Sequence, residues 1–196
     1  IMPWNFPFWQ VFRYVVPTLL VGNGVLLKHA PNATMCAKLI QAFFDESGFP
    51  ENILSLLIID EKQVESVVQD KKIQAVTLTG STKAGSSVAS ISGKYIKKTV
   101  LELGGADPFI VLKDADIKLS AKNAIISRFM NNGQSCIAAK RFFVHELIFD
   151  EFIMNIEKRM KKLKVGNPML LDTDIGPLAR REFVDNIDSQ VQRSVS

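Results

Sequence analysis

The chain has 196 residues, is 47% hydrophobic and 22% charged, and carries a formal net charge of +4, the balance of one ordinary globular domain or a little more. Its two cysteines, Cys36 and Cys136, are too few for a disulfide framework, so a reducing compartment, the cytoplasm, is expected. The cluster Lys158-Arg159-Met160-Lys161-Lys162 has no interleaved aromatic residues and reads as a solvated helix face, which excludes a nucleic-acid patch there.

Taken in order, Pro3-Trp4-Asn5-Phe6-Pro7 is extended, because each proline biases the residue before it away from the helical region. Phe8 to Leu20 reads as a helix with Trp9, Phe12, Val16, Leu19 and Leu20 on its apolar face. Gly22 and Gly24 end it. The apolar run Val15 to Leu27 is interrupted by Pro17, Gly22, Asn23 and Gly24 and is too short to span a membrane. Val25 to Lys28 is a short strand and Thr34 to Ser47 a helix closed by Gly48. Ile53 to Ile59 is an apolar run broken only by Ser55, as in a strand buried on both faces. Glu61 to Gln69 is helical, Ala75 to Thr79 a strand, Ser81 to Ser92 a helix and Lys98 to Leu103 a strand. A strand at Pro108–Leu112, a helix at Ile117–Phe129, a strand at Arg141–His145 and a helix from Leu147 to Leu163 follow. The last helix closes on lysines, which suits the helix dipole. Val165 to Pro177 is a loop, and Arg180 to Val195 is helical and polar. Strand and helix alternate at the spacing of a parallel, doubly wound α/β sheet of Rossmann type. A boundary near Leu103–Gly105 divides residues 1–103 from 104–196. The opening on Ile1, with a chemical motif at once and no basic segment before an apolar run, points to a piece of a longer protein without a legible secretory leader.

Five places carry chemistry. Gly133-Gln134-Ser135-Cys136 puts a thiol after a polar turn, where it can become the nucleophilic thiolate; in isolation a buried structural cysteine is the commoner case. Thr79-Gly80-Ser81-Thr82-Lys83-Ala84-Gly85 joins a strand to a helix, so Gly80 and Ser81 either meet a pyrophosphate at the helix N-terminus or simply cap it. Lys28 ends a buried strand and either bonds a ribose hydroxyl or snorkels to the surface. Glu102, a carboxylate between leucines, is expected to be desolvated and to serve as a general base, or else to be a capping or salt-bridged carboxylate. Asn5 can donate its amide to an oxyanion or stabilise a turn. His29 and His145 sit in no cluster with metal-ligand spacing.

Together, Pro3-Trp4-Asn5-Phe6-Pro7, Leu27-Lys28-His29-Ala30-Pro31-Asn32, Thr79 to Gly85, Leu101-Glu102-Leu103-Gly104-Gly105 and Gly133-Gln134-Ser135-Cys136 appear in the order seen in the aldehyde dehydrogenase superfamily, which the chain resembles over essentially its whole length. The resemblance implies a Rossmann-like NAD(P) domain followed by part of a catalytic domain, and NAD or NADP as cofactor. It implies that Cys136 attacks the aldehyde carbon, that Asn5 and the Cys136 N–H hold the oxyanion, and that Glu102 activates the water that hydrolyses the thioester. Trp4, Lys28, His29, Ala30, Pro31, Gly80, Ser81 and Leu103 match cofactor-contacting positions. The tone is that of the succinate-semialdehyde branch, in which Arg13 matches an arginine that grips the distal carboxylate of a small aldehyde. Two positions depart from that branch. Met130 stands where a second arginine is expected, with Arg128 nearby but out of register. Pro31 replaces a glutamate found in strictly NAD-dependent members, which removes repulsion against a 2′-phosphate. Family members are much longer, act on small aldehydes without nucleic acid or membrane partners, and form homodimers or homotetramers. A CoA-acylating relative and an inactive remnant that at most binds nucleotide are the competing expectations.

Overall fold

A computed structural model describes residues 1–195. The chain divides into two compact units, Ile1–Gly104 and Gly105 onward.

In the first unit, β1 (Val25–Leu27) pairs in parallel with β2 (Leu54–Leu56), and β3 (Ala75–Thr79) pairs in parallel with β4 (Lys98–Glu102). The first two residues stitch these pairs together. Met2 forms a parallel bridge with His29; its N–H donates to Lys28 O at 3.0 Å, and Ala30 N donates to Met2 O at 2.9 Å. On the other side Ile1 N donates to Thr77 O at 2.8 Å and Thr79 N to Ile1 O at 3.1 Å. The order across the unit is therefore β2, β1, Ile1–Met2, β3, β4, with all segments running the same way. The chain winds outward from the centre in both directions, and this reversal is the switch point outside whose carboxyl ends ligands bind in open parallel sheets.

The crossovers carry α2 (Thr34–Glu46), α3 (Val64–Val68) and α4 (Thr82–Lys94), and α1 (Trp9–Leu20) precedes β1. Two cores result. Met2, Val11, Val15, Val25, Leu27, Ala37, Ile40, Phe44 and Leu54 form one. Val64, Val68, Val76, Leu78 and Val88 form the other, with Leu101 and Leu103 packed on it.

Three expectations are corrected here. The buried face of α1 is Gln10, Val11 and Val15, whereas Trp9 is 66% exposed and Val16 and Leu20 are also exposed. Apolar residues occur on most sides of this helix, so periodicity alone cannot orient it; Phe12 and Leu19 do pack against the core. The apolar run Ile53–Ile59 yields a strand only at Leu54–Leu56. Its partner β1 is itself three residues long, so beyond Leu57 N, which bonds Leu27 O at 2.8 Å, pairing ends and Ile58 turns out to solvent. The expected helix from Glu61 is a 3-10 turn at Glu61–Gln63 followed by α3, with Asp60 closing a capping box with Gln63.

The second unit holds β5 (Asp107–Val111) and β6 (Ala139–Val144) in parallel, in register from Pro108↔Arg141 to Val111↔Val144. These strands begin one and two residues before the expected starts at Pro108 and Arg141, and the irregularity between Asp107 and Pro108 follows from a proline that has no N–H to give the ladder. The crossover is α5 (Ile117–Phe129), whose N-cap Asp116 accepts from Leu119 N at 2.9 Å. It packs on α6 (Phe149–Met160) around Val111, Ala121, Ala124 and Phe152. The final helix, α7 (Arg181–Val195), contains no buried residue. No helix among the described residues is long and apolar enough to cross a membrane.

Candidate active site

Residues scattered from Trp4 to Leu103 meet at one edge of the first unit. Pro3-Trp4-Asn5 continues from Met2 past the carboxyl ends of β1 and β3, and Trp4 and Asn5 are half-buried there. Lys28 to Pro31 follow β1, Gly80 and Ser81 follow β3, and Glu102 and Leu103 lie at the end of β4, where Thr79 is in register with Glu102. Parallel strands all deliver their ends to the same side, so the fold gathers these residues by direction alone.

Each residue is then held locally. Lys28 is 8% exposed, so the buried placement, not the snorkelling one, is found. His29 is buried as well. Its Nδ1 accepts from Ala30 N at 2.9 Å and its Nε2 lies 2.9 Å from Pro7 O, which requires the neutral ring with the proton on Nε2. Burial is the main influence pushing its pKa below the ordinary 6.5; donation to Pro7 opposes this, and the nearby Lys28 charge adds to it. The ring thereby ties the Pro3–Pro7 segment to the end of β1. Below Lys28-His29-Ala30 a cleft of about 330 Å³ opens, walled by His29, Pro31, Thr34, Leu57, Ile59 and Asp60 among others. Pro31 is solvent-exposed at its rim. Ser81 is the N-cap of α4, its Oγ accepting from Ala84 N at 3.2 Å. Gly80 N donates to Glu102 O at 2.9 Å, which joins the β3 and β4 ends. A Cβ on Gly85 would overlap the Leu103 side chain; the absent Cβ lets α4 close directly on Leu103.

Of the two arrangements expected for Glu102, the salt-bridged carboxylate is found and the desolvated one is not. Burial along β4 alternates, with Leu101 turned in and Glu102 out, as strand geometry demands of neighbours. The carboxylate is not desolvated between its leucines. Its Oε1 lies 3.3 Å from an Arg13 guanidinium nitrogen, with the two side chains 48% and 49% exposed. The base candidate and the substrate-carboxylate candidate are thus paired with each other.

In the second unit the nucleophile candidate sits in the connection from α5 to β6. Asn131, Asn132 and Gly133 are all left-handed, with φ of 53°, 57° and 75°, a conformation that Asn tolerates and Gly takes freely. A Cβ on Gly133 would stand 3.1 Å from Arg128 O and 3.2 Å from the Arg128 guanidinium. Arg128 therefore lies under this turn, and its Nη1 is 3.5 Å from Ala139 O, which gives it a place in the turn and not in the register of the expected second arginine. The loop after α6 fastens the other side. Asn132 Oδ1 accepts from Gly176 N at 3.0 Å, Asn132 Nδ2 donates to Pro177 O at 3.2 Å, and Gln134 Oε1 accepts from Ala179 N at 2.9 Å. Ser135 is buried and Cys136 half-buried, a free thiol. Lys140, which no sequence motif singled out, donates to backbone carbonyls of this same turn. Its signal was only positional: a long cation four residues past the cysteine.

Comparison with known proteins adds a consistent picture. The aldehyde dehydrogenase family profile matches residues 1–196. A probable succinate-semialdehyde dehydrogenase, NADP(+), of Synechocystis sp. is 52% identical over 196 residues, which are 100% of this chain and 43% of the relative. A succinate-semialdehyde dehydrogenase, NADP(+), of Mycobacterium leprae is 46% identical with the same coverage. Among solved structures, succinic semialdehyde dehydrogenase from Streptococcus pyogenes in complex with NADP+ superposes with a TM-score of 0.94 at 38% identity, covering 97% of this chain and 42% of that one. The 3,6-anhydro-L-galactose dehydrogenase bound to the same type of cofactor gives a TM-score of 0.94 at 31% identity, covering 99% and 41%. The chain thus spans less than half the length of the relatives it matches.

Proposed function

This chain belongs to the aldehyde dehydrogenase family, and from that premise we propose that the whole protein oxidises succinate semialdehyde to the acid with NAD(P). The observation that carries this reading is the convergence of Trp4, Asn5, Lys28, Gly80, Ser81 and Glu102 on one carboxyl edge, at the reversal of strand order.

That edge suits a dinucleotide. Gly80 and the N-terminus of α4 offer a small residue and free N–H groups to a pyrophosphate. Lys28 stands buried just after β1 and offers its ammonium to a ribose. The cleft under His29 and Pro31 has the size for an adenosine, and no carboxylate occupies position 31 to repel a 2′-phosphate, which favours acceptance of NADP. When bound, the nicotinamide supplies the hydride acceptor that converts thiohemiacetal to thioester.

The chain's own residues do the rest. Cys136, as thiolate, adds to the aldehyde carbon. The Asn5 amide and the Cys136 N–H donate to the oxygen as it becomes anionic. Glu102 removes a proton from water as that water adds to the thioester, and the thiolate leaves. Arg13 binds the far carboxylate through its planar fork.

A panel of aldehydes assayed with NAD and with NADP on the whole protein tests the reading, with Cys136→Ala beside it. The expected result is turnover of succinate semialdehyde in the parent and none in the variant. Turnover retained in Cys136→Ala overturns the nucleophile, and indifference to a distal carboxylate overturns the substrate.

A further inference from the structure

Three carbonyls of the cysteine turn converge on one cation. Lys140 Nζ lies 3.0 Å from Cys136 O, 3.1 Å from Ser135 O and 3.4 Å from Ala138 O. An ammonium has three N–H donors and no acceptor, so the group and its partners match in number. Ser135 O also accepts from Ala138 N at 3.3 Å, and the turn is closed from inside as well as from the lysine.

The consequence lies in the peptide that joins Ser135 to Cys136. The chain has no cis peptide among its described residues, so the carbonyl and the N–H of this planar unit point in opposite directions. A cation fixed on the Ser135 carbonyl directs the Cys136 N–H away from itself. It also strengthens that N–H as a donor, because hydrogen bonds in series polarise one another where water is partly excluded. Ser135 is 5% exposed, so the peptide rests on packed structure.

We propose that Lys140 is a positioning residue for the reaction. It aims and polarises the Cys136 N–H that stabilises the oxyanion, without itself touching the aldehyde. The proposal rests on Cys136 being the nucleophile, as argued under the proposed function. No covalent step is added; the lysine acts through the peptide.

The test uses the whole protein with Lys140→Met, which keeps the stem and removes the donors, and Lys140→Arg, which keeps donors and charge. Steady-state rates are measured beside the rate at which iodoacetamide alkylates Cys136, a displacement that develops no oxyanion. Loss of a whole oxyanion donor costs roughly 100- to 1000-fold in kcat; loss of its polarising partner is expected to cost about tenfold. Lys140→Met should lower kcat by that amount, leave KM for aldehyde and cofactor within about twofold, and leave alkylation nearly unchanged. Lys140→Arg should recover most of the rate. An unchanged kcat, a loss confined to KM, an alkylation rate that falls as far as kcat, or failure of Arg to rescue each overturns the proposal. Retained turnover in Cys136→Ala would instead remove the reading beneath it, so the two failures are distinguishable.

Discussion

Arg13 and Glu102 are about half exposed and 3.3 Å apart, and an ion pair so open to water contributes about 0–1 kcal/mol. Such a pair is easily exchanged. A substrate carrying a distal carboxylate offers Arg13 a replacement partner, and Glu102 is then left to meet water. A neutral aldehyde offers none. Arg13→Ala is therefore expected to raise KM for succinate semialdehyde by tenfold or more while changing KM for a neutral aldehyde of similar length by less than about threefold. Equal effects on both substrates would remove the carboxylate clamp. His29 gives a second expectation at this scale. Burial holds its folded pKa below the ordinary 6.5, so the unfolded chain binds the extra proton. Its contribution to stability is complete above about pH 6.5 and is lost as pH falls toward the folded value. Thermal melts of the whole protein should show a fall between pH 7.5 and 5.5 that shrinks in His29→Gln, where the amide retains the donor to Pro7. Motif order made the identities of these residues legible in the sequence. Their partners were not legible, because Arg13 and Glu102 are far apart in the chain and only the packing of α1 brings one to the other.

The β3–α4–β4 element shows what local pattern can and cannot specify. Ser81 at the N-cap and the strand Ala75–Thr79 follow from residue type and alternation. The requirement at Gly85 does not, because glycine inside a helix ordinarily weakens it by about 1 kcal/mol relative to alanine. Here the reason is tertiary: Leu103 occupies the space a Cβ would need. Gly85→Ala is expected to destabilise the protein by about 1–3 kcal/mol, against the helix propensity trend, and Leu103→Ala in the same chain should recover part of that loss. Denaturant midpoints of the two single variants and the double variant measure the coupling; additive losses would show that the overlap is relieved elsewhere. The same limit explains α1 and β2. In α1 apolar residues surround the helix, and the buried stripe at Val11 and Val15 was chosen by its neighbours Met2 and Phe44. In β2 an apolar run reads as one strand, yet its paired length is set by how many residues β1 offers.

At the scale of the whole chain, parallel α/β order was legible because strand and helix alternate so regularly, and what the chain leaves uncovered was not. The final helix α7 buries none of its residues, and Val184, Ile187 and Val191 leave an apolar stripe 40–53% exposed along it. A fifteen-residue helix is marginal in water without tertiary packing of such a stripe. Large apolar side chains also stand exposed in both units, among them Leu20 and Val21 in the first and Leu147 and Met154 in the second. The relatives are more than twice as long as the part matched here, and a whole protein of that length would have further chain with which to cover these faces. The 196 residues produced alone are therefore expected to bind a hydrophobic dye, to self-associate at micromolar concentration and to be clipped first within α7 under limited proteolysis. In the whole protein the same helix should be protected, and dye binding should fall several-fold. A monomeric, dye-silent chain with a protease-resistant α7 would show instead that these surfaces are stable in water, and the stripe along α7 would then need a different explanation from packing against the rest of the protein.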